Sequence, residues 1–336
     1  MSKPVERAPI AVSMGEPAGI GGEIALKAWL GRDAATPPFF LIDDPDRLKT
    51  LAQIGGLNAP VHAIGEPSEA VATFQNALPI LPMSLKEPVI PGVLNPANGP
   101  SVMASIEKAV RLVEQGKASA VVTNPLHKAC LYEAGFRWPG HTEYLAELAG
   151  IETPPVMMLA CSELRVVPVT IHIALEEAVR TLRTEDIVTT GRITAAALKR
   201  DFGIDNPRLA VAGLNPHAGE DGAMGTQEKT IIEPAINALR ASGIEAFGPL
   251  PSDTLFHAAA RTTYDAVLCM YHDQALIPIK TIDFEGGVNV TLGLPFVRTS
   301  PDHGTALSLA GTGKASERSL VAALHMASDM AARRAL

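Results

Sequence analysis

Three of the nine histidines follow short apolar runs: His172 ends "RVVPVTIH", His217 follows "RLAVAGLNP" and His272 follows "DAVLCMY". Such runs read as buried strands, and in an open parallel sheet ligands gather just beyond the carboxyl ends of the strands. The three imidazoles lie 45 and 55 residues apart, a separation that strand ends can close. Three neutral imidazoles on a zinc ion leave a fourth tetrahedral position open, an arrangement for catalysis rather than for structure. The competing reading is a hydrogen-bonded structural histidine at each strand end, and spacing alone leaves both readings standing. Asp273, next to His272, is placed to orient a ligand ring or to act on a substrate.

Other polar residues stand in unexpectedly apolar or glycine-rich surroundings. "NPHAGEDGAMG" (215–225) gathers Asn215, His217 and Glu220 in one turn. "PGHTEYLAELAG" (139–150) places His141 and Thr142 at a helix start, where unpaired N–H groups and the dipole favour an anion. Thr142 would equally serve as a plain N-cap. Residues 276–316 are dense in glycine and proline, yet Lys280, Asn289 and Arg298 sit singly among apolar neighbours. That pattern suits recognition of a phosphate or carboxylate better than a solvated loop. The glycine-rich "MGEPAGIGGEIALKAW" (14–29) has the look of a phosphate loop but lacks both GxGxxG and a GK[ST] ending.

The elements that would position these groups are strands at 10–14, 38–43, 119–124, 155–160, 165–173, 208–214 and 265–271. Between them lie helical patterns at 101–118 and 184–202, and a last helix spans roughly 314–334. In the first pattern Val102, Ile106, Ala109, Val110 and Val113 share a helical stripe, with Ser101 as N-cap and Gly116 as its end. Strand then helix, repeated, predicts an α/β fold with a largely parallel sheet. The Pro/Gly-rich 87–100 reads as a structured connection, and no internal repeat is present.

Apolar residues make up 47% of the 336 and charged residues 19%, enough for a sizeable core in one large or two ordinary domains. The net charge of −8 argues against a general nucleic-acid binder, which presents a basic surface. Cys130, Cys161 and Cys269 form no CxxC pair, so buried free thiols in a reducing compartment are expected. With no apolar leader-type core and no run of about 20 apolar residues, a soluble cytoplasmic protein is expected.

"GEPAGIG", "VTNPLHK", "GHTE", "GLNPHAGE", "MYHDQ" and "VNVTLGLPFVRTSPDHGTA", in this order, resemble the 4-hydroxythreonine-4-phosphate dehydrogenase family of pyridoxal phosphate biosynthesis, from about residue 10 to residue 330. The resemblance implies a two-domain α/β/α fold similar to isocitrate and isopropylmalate dehydrogenases, with the active site between the domains. It suggests a cofactor-side domain of 1–125 plus 280–336 and a metal, substrate and dimerisation domain of 126–279. It implies NAD- or NADP-dependent oxidation of 4-(phosphooxy)-L-threonine. One divalent metal per subunit would lie on His172, His217 and His272, with His272 from one subunit of a homodimer and the other two from its partner. Imidazole softness favours zinc, or cobalt, over magnesium. The implied substrate contacts are His141, Thr142, Lys280, Asn289 and Arg298. Asp273, Asp253 and Lys280 are the candidate bases, and "DHGTALSLAGTGKA" supplies Asp302, His303, Gly304, Thr305 and Gly311 to the coenzyme. The rival chemistries are oxidation of D-erythronate or D-threonate 4-phosphate and, in another class, hydrolysis by a three-histidine zinc site. Asn124 departs from a glycine common in the family, which leaves any coenzyme role of the first glycine loop open.

Overall fold

A computed structural model describes residues 8–138 and 140–335. Pro139 of the "PGHTE" motif and the first seven residues of the chain therefore lie outside the described residues. The described residues divide into two compact units, one holding 8–154 together with Leu294–Ala332, the other Pro155–Gly293 and 333–335. The sequence places these borders near 125 and 280. Two contacts explain the difference: residues 128–148 form helices, one of which packs on the helix of 99–114, and the strand 288–292 is paired within the second unit.

The first unit runs β1 (Ile10–Ser13), α1 (Gly21–Leu30), β2 (Phe39–Asp43), α2 (Pro45–Ile54), β3 (Val61–Ala63) and α3 (Ala70–Phe74). It continues with β4 (Leu78–Pro82), α4 (Gly99–Glu114), β5 (Val121–Val122), α5 (Lys128–Glu133) and α6 (His141–Leu148). The second unit runs β6 (Val156–Ala160), β7 (Arg165–Pro168), α7 (Leu175–Thr181), α8 (Thr184–Phe202), β8 (Arg208–Ala212) and α9 (Glu233–Ala241). Then follow β9 (Glu245–Leu250), α10 (Ala258–Arg261), β10 (Ala266–Cys269), α11 (His272–Ile282) and β11 (Val288–Leu292). The chain closes with β12 (Arg298–Pro301) and α12 (Arg318–Arg334).

In the first unit the strand order is β3-β4-β2-β1-β5-β12, all parallel. In the second it is β11-β6-β7-β10-β8-β9, parallel except that β6 runs against both of its neighbours. The fold is thus α/β with a largely parallel sheet. Every residue of β1, β2 and β10 is buried, as strands covered by helices on both faces require.

Several boundaries differ from the sequence reading. α4 begins at Gly99 with Pro100 in its first turn, so Ser101 lies inside the helix and donates to the Ser84 carbonyl at 2.9 Å instead of capping. The 165–173 run leaves the sheet after Pro168. α12 begins at Arg318, later than expected. Residues 276–316, dense in glycine and proline, contain the rest of α11 and all of β11 and β12, none of which the sequence reading assigned. Prolines and glycines inside β4 ("LPILP") and β9 ("EAFGPL") hid those strands too, because such residues usually interrupt a ladder. All three cysteines are buried and free, and among the described residues no helix is long and apolar enough to cross a membrane.

Candidate active site

β7, β10 and β8 are adjacent and parallel in the second unit, and their carboxyl ends carry the three histidine segments. Beyond β7, Val169 N–H donates to the Cys269 carbonyl at 2.7 Å and the Thr170 hydroxyl to the Met270 carbonyl at 2.7 Å. These bonds bring His172 beside His272, with ring centroids 5.8 Å apart. His272 does not end the strand; β10 stops at Cys269, and the imidazole opens α11. A cavity of about 220 Å³ is lined by Thr170, His172, Tyr271, His272 and Asp273. The Asp273 carboxylate lies 2.7 Å from His272 Nδ1, which leaves Nε2 as the donor nitrogen for a ligand, the usual support for a metal-binding histidine.

His217 sits in an unusual turn. Residues 217–221 have φ of 51, 51, 81, 41 and 54°, a left-handed run in which only Gly219 is a glycine. Each non-glycine residue there costs on the order of 1 kcal/mol, so the turn must be held from outside. Glu228 holds it. One carboxylate oxygen accepts the N–H groups of Leu214 (2.8 Å) and Asn215 (2.7 Å), and the other accepts Asn215 Nδ2 (2.9 Å). Burial pushes this carboxyl upward, but the bonds from Asn215 and Leu214 outweigh it and hold the group below the ordinary carboxylate range.

Gln274 joins the segments. It accepts from Met270 N–H at 2.5 Å and donates to the Gly213 carbonyl at 2.6 Å and to Ser252 Oγ at 2.7 Å. One buried amide therefore ties the end of β10, the end of β8 and the exposed turn that carries Asp253. Both Glu228 and Gln274 were missed in the sequence. Gln274 is the last residue of "MYHDQ", and that adjacency was the available signal. Two imidazoles facing across a cavity, one oriented by a carboxylate, fit a divalent cation by donor chemistry. Among the described residues, no three His, Cys, Asp or Glu side chains gather to hold one within a single copy.

The expected substrate contacts divide between the units. In the first, His141 opens α6, with Thr142 following, and its Nε2 is buried without a hydrogen-bond partner. Burial, then the charges of Arg298 and Lys128, push this imidazole well below its ordinary pKa, so it is neutral near pH 7. Arg298, 3% exposed, begins β12 and donates to Thr123 Oγ1 at 2.6 Å; burial lowers its pKa to about 10. Lys128, which was not singled out, begins α5 and adds a second cation near His141. In the second unit, Lys280 stands near the end of α11 with Nζ 5.2 Å from the Phe284 ring. Asn289 lies in β11 opposite Leu159, and its Oδ1 is buried without a hydrogen bond.

The candidate coenzyme loop follows β12. Asp302 N–H donates to Ser319 Oγ at 3.1 Å, and His303 Nδ1 donates to the Gly304 carbonyl at 3.0 Å. Thr305 offers its carbonyl to Ile20 N–H at 3.1 Å, and Gly311 and Ala315 donate to the two oxygens of fully buried Glu23 at 2.9 and 3.0 Å. Glu23 belongs to α1, so the first glycine loop and α1 buttress this second loop. Gly15 explains one glycine there: at φ 69°, a Cβ would lie 2.6 Å from Asn124 Cβ.

Known proteins resemble this chain in both sequence and fold. The sequence model of the family described as pyridoxal phosphate biosynthetic protein PdxA matches residues 35–327. The 4-hydroxythreonine-4-phosphate dehydrogenase of Bradyrhizobium diazoefficiens is 54% identical over 335 residues, covering 96% of this chain and 97% of that protein. Among solved structures, the 4-hydroxythreonine-4-phosphate dehydrogenase of Klebsiella pneumoniae superposes with a TM-score of 0.87 at 38% identity, covering 96% of this chain and 99% of that one. A terephthalate 1,2-cis-dihydrodiol dehydrogenase from Burkholderia xenovorans reaches 0.64 at 26% identity, covering 96% and 98%.

Proposed function

Because the chain belongs to the pyridoxal phosphate biosynthetic protein PdxA family, we propose that it is an NAD(P)-dependent 4-hydroxythreonine-4-phosphate dehydrogenase requiring a divalent metal. The observation that carries this reading is that the segments bearing His172, His217 and His272 follow the adjacent parallel strands β7, β8 and β10, in a chain 54% identical to an enzyme of that name. The substrate is 4-(phosphooxy)-L-threonine. Bound NAD(P)⁺ would take the hydride from C3 while a base takes the C3 hydroxyl proton, giving 2-amino-3-oxo-4-(phosphooxy)butanoate. That β-keto acid loses CO₂ to give 3-amino-2-oxopropyl phosphate.

When bound, a divalent metal acidifies the alcohol and stabilises charge on the ketone oxygen, while nicotinamide accepts the hydride. The chain's own residues do the rest. His172, His217 and His272 hold the metal, zinc or cobalt ahead of magnesium, with His272 from one copy of a homodimer and the other two from its partner. Exposed Leu175 and Ile277, on the helices that follow His172 and His272, support an apolar contact there. Arg298 brings a desolvated guanidinium to an anionic group of the substrate, and neutral His141 is available as a hydrogen-bond donor or acceptor. Thr142, Lys280 and Asn289 complete the substrate contacts. Asp273, Asp253 and Lys280 are the groups able to take the hydroxyl proton. The loop carrying Asp302, His303, Gly304, Thr305 and Gly311 meets the coenzyme.

The test is steady-state kcat/KM on 4-(phosphooxy)-L-threonine against D-erythronate 4-phosphate, followed by reduced-nicotinamide absorbance. A preference of at least about a hundredfold for the first, roughly 2.7 kcal/mol at the transition state, is expected. The reverse preference assigns the chain to a sugar-acid phosphate. Absence of coenzyme reduction with either of these phosphorylated hydroxy acids overturns the dehydrogenase reading and favours a hydrolase.

A further inference from the structure

Glu228 touches no group assigned to the reaction, yet its placement is hard to explain as packing alone. It is 3% exposed and begins a π-helical turn, Glu228–Ile232, that leads into α9. Turns of this type are rare and are frequent at functional sites. Its two oxygens collect three donors, Leu214 N–H, Asn215 N–H and Asn215 Nδ2, on the two residues that launch the left-handed turn. The same carboxylate presses against the turn's floor. A Cβ at Gly219 would come within 2.6 Å of Oε2, and one at Gly213 within 3.3 Å of Oε1. His217 stands between these two glycines.

We propose that Glu228 is a positioning residue that fixes the left-handed turn and so aims the His217 imidazole at the metal. The inference rests on the reading of His217 as a metal ligand. A carboxylate suits the task because it has four lone-pair directions and no hydrogen of its own, and all three groups facing it are donors. An amide of equal size would set an NH₂ against one of them. The arrangement is economical in residues: Glu228 governs the backbone and His217 meets the ligand, with no direct bond between them.

The experiment is Co²⁺ titration of the full-length protein against a chromophoric chelator, with the visible absorption of bound Co²⁺ as a second reading and circular dichroism as a fold control. Glu228→Gln is expected to weaken Co²⁺ binding at least tenfold and to alter the Co²⁺ spectrum. The double variant Glu228→Gln/His217→Ala should bind no more weakly than His217→Ala alone, because the two act through one ligand. Asn215→Ala, which removes the Nδ2 bonds to the second oxygen and to Gln227 Oε1 but keeps both backbone donors to Glu228, should give a smaller loss in the same direction and serves if Glu228→Gln does not fold. Wild-type affinity and spectrum in Glu228→Gln, or in Asn215→Ala where that variant stands in, overturn the proposal while His217→Ala still loses the metal. Wild-type binding in His217→Ala itself overturns the ligand reading and the proposal with it.

Discussion

His141 shows how environment sets the chemistry of a side chain. Its side chain is half-buried with Nε2 enclosed, Arg298 and Lys128 are the charged groups acting on it, and all three influences oppose protonation. The folded pKa therefore lies below the unfolded value of about 6.5, so as pH falls the unfolded chain takes up this proton first. The stabilisation is fully present above pH ~6.5 and is lost downward through the folded pKa. Urea unfolding of wild type and His141→Gln at neutral and mildly acidic pH checks the sign. The wild type is expected to lose more stability on acidification than the variant, and equal losses would show that His141 is not held neutral by the fold. The opposite case is Glu228, a buried carboxylate kept ionised because three donors converge on it. For His141 burial leads and the neighbouring cations add to it, whereas for Glu228 the donors outweigh burial.

At the scale of elements, loops that could carry function are clamped by helices behind them. α1 supplies Glu23 to the backbone of Gly311 and Ala315, and Lys27 on the same helix donates to the Ala315 carbonyl and pairs with Glu317 at 3.1 Å. Glu23→Gln replaces an acceptor by a donor beside two buried N–H groups, a loss of about 1–3 kcal/mol per unsatisfied group. The expected outcome is a lower melting temperature together with a several-fold rise in KM for the nicotinamide coenzyme and little change in KM for the phosphorylated substrate. An unchanged coenzyme KM would remove the 302–315 loop from the coenzyme site. Gln274 does the corresponding work in the second unit, where one amide spans three segments. In each unit the rigid element lies behind the loop, so a loop can present side chains without a regular backbone of its own.

For the molecule as a whole, the second unit exposes large apolar side chains on α7, on α11 and just beyond it: Leu175 is 59% exposed, Ile277 63% and Phe284 74%. Exposed apolar groups of this size suit the proposed contact between two copies of the chain. Light scattering is expected to give about 71 kDa, twice the 35.3 kDa of one chain. Leu175→Arg should shift the mass toward the monomer and weaken Co²⁺ binding in parallel. A monomeric wild type with full metal affinity would exclude a shared site. From the sequence, strand and helix periodicity gave α/β architecture, the register of α8 at 184–202 and the His141 helix start, because a buried strand and an amphipathic helix each write their period into the chain. Motif order carried the family. Three things were left to the tertiary structure. His172 meets His272 through bonds that join residues 100 apart, β11 and β12 find partners despite glycine- and proline-rich flanks, and Glu228 and Gln274 hold turns they are not part of. Local periodicity records which face of an element is buried, but hydrogen bonds between distant segments are specified only by geometry after the chain has closed on itself.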